Sequence, residues 1–240
     1  MAAMNGSRGD EAKKRARELQ SGAARAAVLG INDGLVTNVS LILGVAGAQA
    51  DAHFVQLAGM ASLVAGACSM AVGEYVSMAA QVELLERLLG EYREAIRLTP
   101  ELARRDLEEQ FQESGLKAAT AHNASQQVAS LPDRALAVYA RSLGLDPEEL
   151  GSPWKAALSS LVTFAVGALL PLLPWFWLRG TTASGISIAI AAAAALGIGG
   201  TLGRFGGRPL AWPALRQLLI VAVAAGVTWG AGRLFHVTVT

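Results

Sequence analysis

The sequence predicts an all-α, polytopic membrane protein with five transmembrane helices and a cytoplasmic helical insert between the second and third. Composition is the first reason, because 52% of the 240 residues are apolar and only 16% are charged. In soluble domains about a quarter of the residues are charged. The charge is also concentrated, since residues 81–150 hold 13 of the 19 acids. Elsewhere the chain contains five apolar segments near or above the ~20 residues that cross a bilayer.

The five predicted spans divide the chain into parts. The spans cover about residues 26–48, 55–80, 155–178, 182–203 and 211–235. We therefore predict an N-terminal cytoplasmic segment (1–25), two transmembrane helices (26–80), the insert (81–150) and three further transmembrane helices (151–240). Runs of small residues within the spans, such as GVAGA and AGMASLVAGA, allow close helix packing in lipid.

Lys and Arg residues next to the spans predict the orientation, because they are enriched on the cytoplasmic side of membranes. Basic residues precede the first span, occur throughout the insert and follow the fourth span, whereas the AQADAHF loop has none. This pattern places the N-terminus and the insert in the cytoplasm and the C-terminus on the opposite side. The polar N-terminal stretch does not resemble a cleavable signal peptide.

Several classes of function find no support in the sequence. The single Cys68 excludes an internal disulfide and forms no zinc motif. A formal net charge of +1 gives no indication of a nucleic-acid partner. We predict neither an enzyme nor a prosthetic group, because HExxH and GxSxG motifs do not occur. We interpret the scattered His53, His122 and His236 as ordinary surface or interface residues.

Two acids lie inside predicted spans. Asp33 occurs in GINDG of the first span, and Glu74 occurs in SMAVGEYVSMAAQ of the second. A carboxylate in the bilayer costs at least about 2.5–3.5 kcal/mol and therefore indicates a functional site. Met70 and Met78, four residues before and after Glu74, add thioethers, which favour transition metals over Mg²⁺ or Ca²⁺. Ordinary packing for the methionines, and an interfacial position or a structural hydrogen bond for the carboxylates, are the alternatives.

Glycines accompany both acids. Gly30 and Gly34 flank the first acid, and Gly73 precedes the second. We expect these glycines to permit close helix approach or local opening of the backbone. The adjacent Asn32 is expected to cap or hydrogen-bond only locally.

The insert is predicted to be helical. Its first stretch, QVELLERLLGEYREAIRL, has apolar residues at helical spacing and is expected to continue the second span as one helix. Further helices are predicted at about residues 100–115, 117–130 and 132–143. Pro100 and Pro132 suit helix starts, and Gly115 suits a C-cap.

The acids of the insert recur at helical spacing. Glu91 and Glu94 are three residues apart, and Asp106, Glu109 and Glu113 stack on one helix face. Stacked carboxylates repel one another unless a cation lies between them, and oxygen-rich clusters suit divalent cations. The alternative is a solvated helix surface that neighbouring arginines neutralise, and spacing alone favours that alternative.

The span motifs resemble a known family. NDG lies within RAAVLGINDGLVTNVSLILGVAGA, SMAVGEYVS lies within LVAGACSMAVGEYVSMAAQ, and SPWKAALSSLVTFAVGALLPLLP follows the insert. Together these stretches resemble the vacuolar iron transporter (VIT) family, including its bacterial members, over residues 25–178. The resemblance implies a homodimer with five spans per subunit that exports or sequesters Fe(II), and often Mn(II), in exchange for protons. The last two spans match mainly in hydropathy and in a closing GRLF.

The resemblance also implies a metal path through the membrane. In that family the acid of the first span and a methionine of the second lie on the path, and they match Asp33 and Met70. The acid of the second span, which matches Glu74, lies beside them. The residues that this path requires are therefore all present.

The resemblance implies a second metal site in the insert, where the family collects metal through paired glutamates. The corresponding residues are Glu91 and Glu94, followed by Asp106 and Glu109, with Glu113 as a neighbour. This chain departs from the family pattern near the end of the insert. Ser142 occupies a position where an acid is usual, and the adjacent methionines of plant members fall on Val138 and Tyr139. We therefore expect a weakened or differently built cytoplasmic site.

We expect a proton-coupled antiporter that moves Fe(II), Mn(II) or another divalent transition metal out of the cytoplasm. Its expected partners are protons, the lipid bilayer and a second copy of the chain, with no nucleic acid. The main alternative is a membrane-anchored metal sensor or buffer without transport, and a second is a scaffold whose insert binds a partner protein. The expected location is a bacterial inner membrane, with a vacuole-like membrane as the alternative.

Overall fold

The fold is known from a computed structural model, which describes residues 22–142, 152–205 and 209–234. Within these ranges the chain is helical and has no strand. The helices are α1 (Gly22–Gly47), α2 (Ala52–Leu98), α3 (Pro100–Glu113), α4 (Ala118–Ala129), α5 (Pro132–Ser142), α6 (Pro153–Leu172), a 3₁₀ turn (Leu173–Phe176), α7 (Gly180–Phe205) and α8 (Ala211–Leu234). The predicted all-α class is confirmed.

Five helices of the described chain are long and apolar enough to cross a membrane, as predicted: α1, α2, α6, α7 and α8. Helix α2 is much longer than a bilayer requires. Its 47 residues run without a break from Ala52 to Leu98 and span ~70 Å at 1.5 Å per residue. The expected continuation of the second span into the insert is therefore confirmed. The orientation inferred from Lys and Arg stays a prediction.

The third span runs from Pro153 to Phe176, so its predicted end is right to within two residues, but its last turn is not α-helical. Regular α-helix stops at Leu172 and tightens into the 3₁₀ turn that contains Pro174. A proline ring cannot donate the backbone hydrogen bond that would continue the helix, so the proline explains the change. Close to this turn, the carbonyl of Pro171 accepts a hydrogen bond from the Ser187 hydroxyl of α7 at 2.7 Å.

The described residues fall into two compact units. Residues 23–75 and 154–234 form one, which we call the membrane unit, and residues 76–142 belong to the other, which we call the insert unit. Helix α2 contributes residues to both. The predicted domain boundaries at residues 25, 80 and 150 stay predictions.

In the membrane unit α1 occupies a central position. Leu35, Val39 and Leu43 of α1 form a core with small residues of α7 and α8, such as Ala195 and Ala225. A second core joins Ile42 of α1 to residues of α2, the 3₁₀ turn and α7. Because α1 takes part in both cores, its rotation about its own axis is closely constrained.

Backbone contact between α1 and α6 fixes that rotation further. A Cβ atom at Gly34 would collide with the backbone of Phe164, and a Cβ atom at Gly167 would collide with the carbonyl of Ile31. A Cβ atom at Gly30 would also collide with α6, at the Thr163 hydroxyl and the Ser160 carbonyl. The expectation that Gly30 and Gly34 permit close helix approach is confirmed. A Cβ atom at Gly73, by contrast, would meet nothing within 4 Å.

The insert unit has its own small core. Tyr92 from the last part of α2 packs with Ala103 of α3 and Leu136 of α5. The rings of Tyr92 and Tyr139 stack in parallel with centroids 3.8 Å apart, and the Tyr92 hydroxyl donates to the carbonyl of Ala103 at 3.2 Å. Tyr139, at a position where the plant members of the resembled family have a methionine, thus contributes an aromatic ring that stabilises the insert.

The predicted helix boundaries in the insert agree with the structure. Helix α3 begins at Pro100. It ends before Gly115, which has a φ of +94°, and the N–H of Leu116 donates back to the carbonyl of Phe111 at 3.1 Å. This pattern is the expected glycine C-cap. Helix α5 begins at Pro132, and its predicted end at Gly144 lies outside the described residues.

The substitution Gly167→Ala should destabilise the membrane unit, because the new methyl group would collide with the backbone of α1. Overpacking of this kind costs about 1–3 kcal/mol. Thermal unfolding of the purified protein in detergent, followed by circular dichroism, measures the effect. Gly226→Ala is the matched control, since a Cβ atom there meets nothing within 4 Å. Equal unfolding temperatures for the two variants would contradict the assigned contact.

Candidate functional site

Asn32 and Asp33 lie on different sides of α1, although they are adjacent in the sequence. The Asn32 side chain is partly buried and its Oδ1 accepts a short hydrogen bond from Nε2 of Gln217 in α8. The Asp33 side chain is exposed, and its Oδ1 accepts a long hydrogen bond, 3.5 Å, from the Thr37 hydroxyl. Asn32 therefore joins two helices, and the expectation of a purely local hydrogen bond for it was wrong.

The exposure of Asp33 follows from the packing of α1. Gly30 and Gly34 face α6, and Asn32 faces α8, so the residue after Asn32, about 100° further around the helix, points away from both. Within an apolar span, an exposed carboxylate requires water, a cation or another protein chain. The structure of the single chain thus leaves Asp33 available for such a partner.

Glu74 of α2, unlike Asp33, is buried. The residue is 9% exposed, and its Oε2 atom is buried without a hydrogen-bond partner among the described residues. The one cation near it within the described chain is Arg25 of α1, whose Nη2 lies 3.9 Å from Oε2. Burying a carboxylate that is so poorly paired costs free energy. Glu74 therefore destabilises the membrane unit unless another cation binds to it.

Met70 lies one helical turn before Glu74. Its side chain is partly buried and packs against the core of Ala67, Phe164 and Ala168. This contact agrees with the packing interpretation of the methionine and leaves its role as a metal ligand a prediction. Met78 is buried, with 3% of its surface exposed.

Among the described residues, no three or more His, Cys, Asp or Glu side chains converge closely enough to hold a metal ion. Asp33, Glu74 and the predicted acids of the insert therefore do not form one cluster in a single chain. The structure presents them separately, one exposed on α1, one buried on α2 and the others on the insert.

The predicted acids of the insert lie on its surface. Glu91 is paired with Arg87, with 2.9 Å between Oε1 and Nε, which is the neutralisation expected for a solvated face. Glu94, Asp106 and Glu109 are exposed. The remaining acid of this set, Glu113, is exposed at the end of α3. The buried side of that helix holds Ala103 and Leu107. These carboxylates are accessible to solvent, as are the neighbouring Arg93, Arg97 and Arg105.

The insert also contains an interaction that the sequence analysis missed. Oε2 of Glu108 accepts a hydrogen bond from Nη1 of Arg104 at 2.8 Å and lies 3.1 Å from Nδ1 of His122 on α4. The hydrogen bond with His122, supported by Arg104, lowers the pKa of Glu108 below its ordinary value, although burial opposes the shift. His122 thus joins α3 and α4, which agrees with its interpretation as an ordinary surface or interface residue, although its partner was not predicted.

Comparison with known proteins extends the motif-based resemblance over the whole bundle. A family model described as the VIT family matches residues 24–233. The chain belongs to the VIT family. The match includes α7 and α8, where the sequence motifs were weakest. Membership agrees with the five membrane-length helices of the described chain.

Plant proteins provide similar relatives. The chain is 34% identical over 214 residues to "Vacuolar iron transporter homolog 1" of Oryza sativa subsp. japonica, and the aligned region covers 88% of this chain and 73% of the relative. It is 31% identical over 211 residues to "Vacuolar iron transporter homolog 2" of Arabidopsis thaliana, covering 88% and 83%. It is 33% identical over 211 residues to "VIT-like transporter 1b" of Glycine max, covering 88% and 75%.

The lowered pKa of Glu108 predicts acid sensitivity of the α3–α4 contact. The carboxylate stabilises the folded insert at pH values above its unfolded pKa of about 4.3, and this contribution is lost as the pH falls through the lower folded pKa. Glu108→Gln should therefore reduce the loss of insert stability between about pH 6 and pH 3. Thermal unfolding of the full-length protein at several pH values measures the difference.

The matched control for this measurement is Glu109→Gln, which changes an exposed neighbour on the same helix. That variant should keep the acid sensitivity of the wild-type protein. Equal acid sensitivity in the wild type and Glu108→Gln would show that the contact with His122 does not contribute.

Proposed function

We propose that this protein transports divalent iron, or manganese, out of the cytoplasm in exchange for protons. Its relatives are named iron transporters, and its five long apolar helices suit a membrane transporter. The observation that carries the proposal is Glu74, whose buried carboxylate oxygen has no hydrogen-bond partner in the part of the apolar bundle that the structure describes. Such a group is retained at a cost, which a cation-binding role explains.

Exchange of metal for protons follows from the chemistry of that carboxylate. A divalent cation and a proton each neutralise it, and they compete because metal binding requires the deprotonated form. Protons arriving from the opposite side of the membrane would then displace the metal. Met70, one turn away, adds a thioether that suits Fe(II) better than Mg²⁺ or Ca²⁺.

Asp33 supplies the second carboxylate of the proposed path. It is exposed on the span in a single chain, and a second copy of the chain would cover it. We therefore propose a homodimer in which Asp33 lines a path between subunits. The requirement for a second copy also accounts for the absence of a complete ligand cluster among the described residues of one chain.

The insert has a different role in the proposal. Its exposed acids, Glu94, Asp106, Glu109 and Glu113, create a negative potential that raises the local concentration of divalent cations. Glu91 would join them when its pairing with Arg87 is released, because exposed ion pairs of this kind are weak. The insert thus collects metal and does not move it across the membrane.

The membrane-anchored sensor or buffer is the competing function. It requires metal binding by the same acids but no movement of metal across the bilayer. Flux measured in proteoliposomes separates the two functions, because a sensor binds metal without flux.

Asp33→Asn and Glu74→Gln should each reduce Mn(II) or Fe(II) flux into proteoliposomes by at least ~10-fold, since each removes a carboxylate from the path. Flux driven by a pH gradient, read with a metal-sensitive dye inside the vesicles, measures the effect. Asp51→Asn is the matched control. Asp51 precedes α2 and accepts a hydrogen bond from the N–H of Phe54 at 2.8 Å, a capping role that asparagine also fills. Normal flux in both path variants would refute the proposed function.

Neutralising the collecting acids should have a different kinetic effect. In the double variant Asp106→Asn/Glu109→Gln we expect the metal concentration for half-maximal flux to rise several-fold while the maximal rate is kept. The same flux assay over a range of metal concentrations measures both quantities. Asp133→Asn, an exposed acid of α5 outside this set, is the control. An unchanged half-maximal concentration would remove the insert acids from the transport function.

A further inference from the structure

We propose that Arg25 is a built-in counter-ion that neutralises Glu74 when no metal is bound and leaves the carboxylate when a divalent cation arrives. This inference rests on the proposed role of Glu74 in cation binding. It adds a positioning residue on α1 that competes with the transported metal and therefore sets its affinity.

The geometry of the pair is the first support. Nη2 of Arg25 lies 3.9 Å from Oε2 of Glu74, beyond the range of an N–H···O hydrogen bond. Oε2 is buried and has no hydrogen-bond partner within the part of the chain that the structure describes. Arg25 therefore supplies charge without the two-pronged hydrogen bonding that makes arginine–carboxylate pairs strong.

The burial of the two partners is unequal. The side chain of Arg25 is 57% exposed, whereas that of Glu74 is 10% exposed. The guanidinium lies in the first turn of α1 on a long, flexible side chain and can return to water at little cost. The carboxylate has no such freedom, because it lies on the buried side of α2.

The missing hydrogen bond and the unequal burial together allow a metal ion to replace Arg25 beside Glu74. If the guanidinium leaves, the buried carboxylate requires another positive charge. Coulomb attraction grows with charge and falls with distance, so a divalent cation in direct contact with the carboxylate attracts it more strongly than a single charge at 3.9 Å does. A structural ion pair would instead be hydrogen-bonded and shielded at both ends.

The test is a comparison of Mn(II) binding by full-length variants in nanodiscs at pH 8, measured by titration calorimetry. The component of binding that Glu74→Gln removes is assigned to the intramembrane site. At that site Arg25→Gln should bind Mn(II) roughly tenfold more tightly than the wild type, because a competing cation is gone. Arg25→Lys, which keeps the charge, should remain close to the wild type. Arg179→Gln, an exposed arginine between the 3₁₀ turn and α7, is the control.

The double variant Arg25→Gln/Glu74→Gln tests whether Arg25 acts through Glu74. The increase in Mn(II) affinity caused by Arg25→Gln should disappear when Glu74 is neutral. If Glu74→Gln removes binding but Arg25→Gln leaves the affinity unchanged or weakened, the counter-ion role is wrong and the proposed function stands. If Glu74→Gln binds and transports Mn(II) normally, the proposed function fails, and the counter-ion role fails with it.

A second measurement uses the unmodified chain and does not depend on the folding of any variant. Phenylglyoxal modifies accessible guanidinium groups, and mass spectrometry locates the modified residue. Saturating Mn(II) should increase the modification rate of Arg25 several-fold and leave that of Arg179 unchanged. Protection of Arg25, or no change in its rate, would overturn the proposal.

Discussion

The close backbone contact between α1 and α6 is the constraint on which the membrane unit depends. Because Gly34 and Gly167 remove side chains from this contact, the two helices approach until their backbones touch, and α1 can adopt only one rotation. Asn32 then faces α8, and Asp33 faces outward. The glycines of this contact thus determine which side chain of α1 is exposed on the single chain.

The two carboxylates of the apolar spans lie in different environments, and the proposed function uses this difference. Glu74 is buried and has a distant arginine of the same chain as its nearest cation, whereas Asp33 is left exposed. Neither carboxylate is satisfied by hydrogen bonds in the way that a purely structural acid would be. Under the proposed function both carboxylates can bind a metal ion or a proton, because no strong internal hydrogen bond has to be broken first.

Much of this architecture could be predicted from the sequence because its determinants are local. Apolar length defines the five spans, Pro100 starts α3, and Gly115 ends it with a positive φ. The family motifs carry Asp33 and Glu74. The pairing of Arg25 with Glu74 could not be predicted, because it joins residues 49 positions apart and depends on how α1 and α2 pack. The contact of His122 with Glu108 was missed for the same reason, since helical periodicity does not identify tertiary partners.

The central claim is that a divalent cation binds at Glu74 during transport. Anomalous X-ray diffraction from crystals of the full-length protein soaked with Mn(II), recorded above and below the manganese absorption edge, tests it most directly. We predict an anomalous peak in direct contact with the Glu74 carboxylate and beside the Met70 sulfur, with the Arg25 guanidinium turned away. Peaks confined to the acids of the insert, with Arg25 still next to Glu74, would contradict this account.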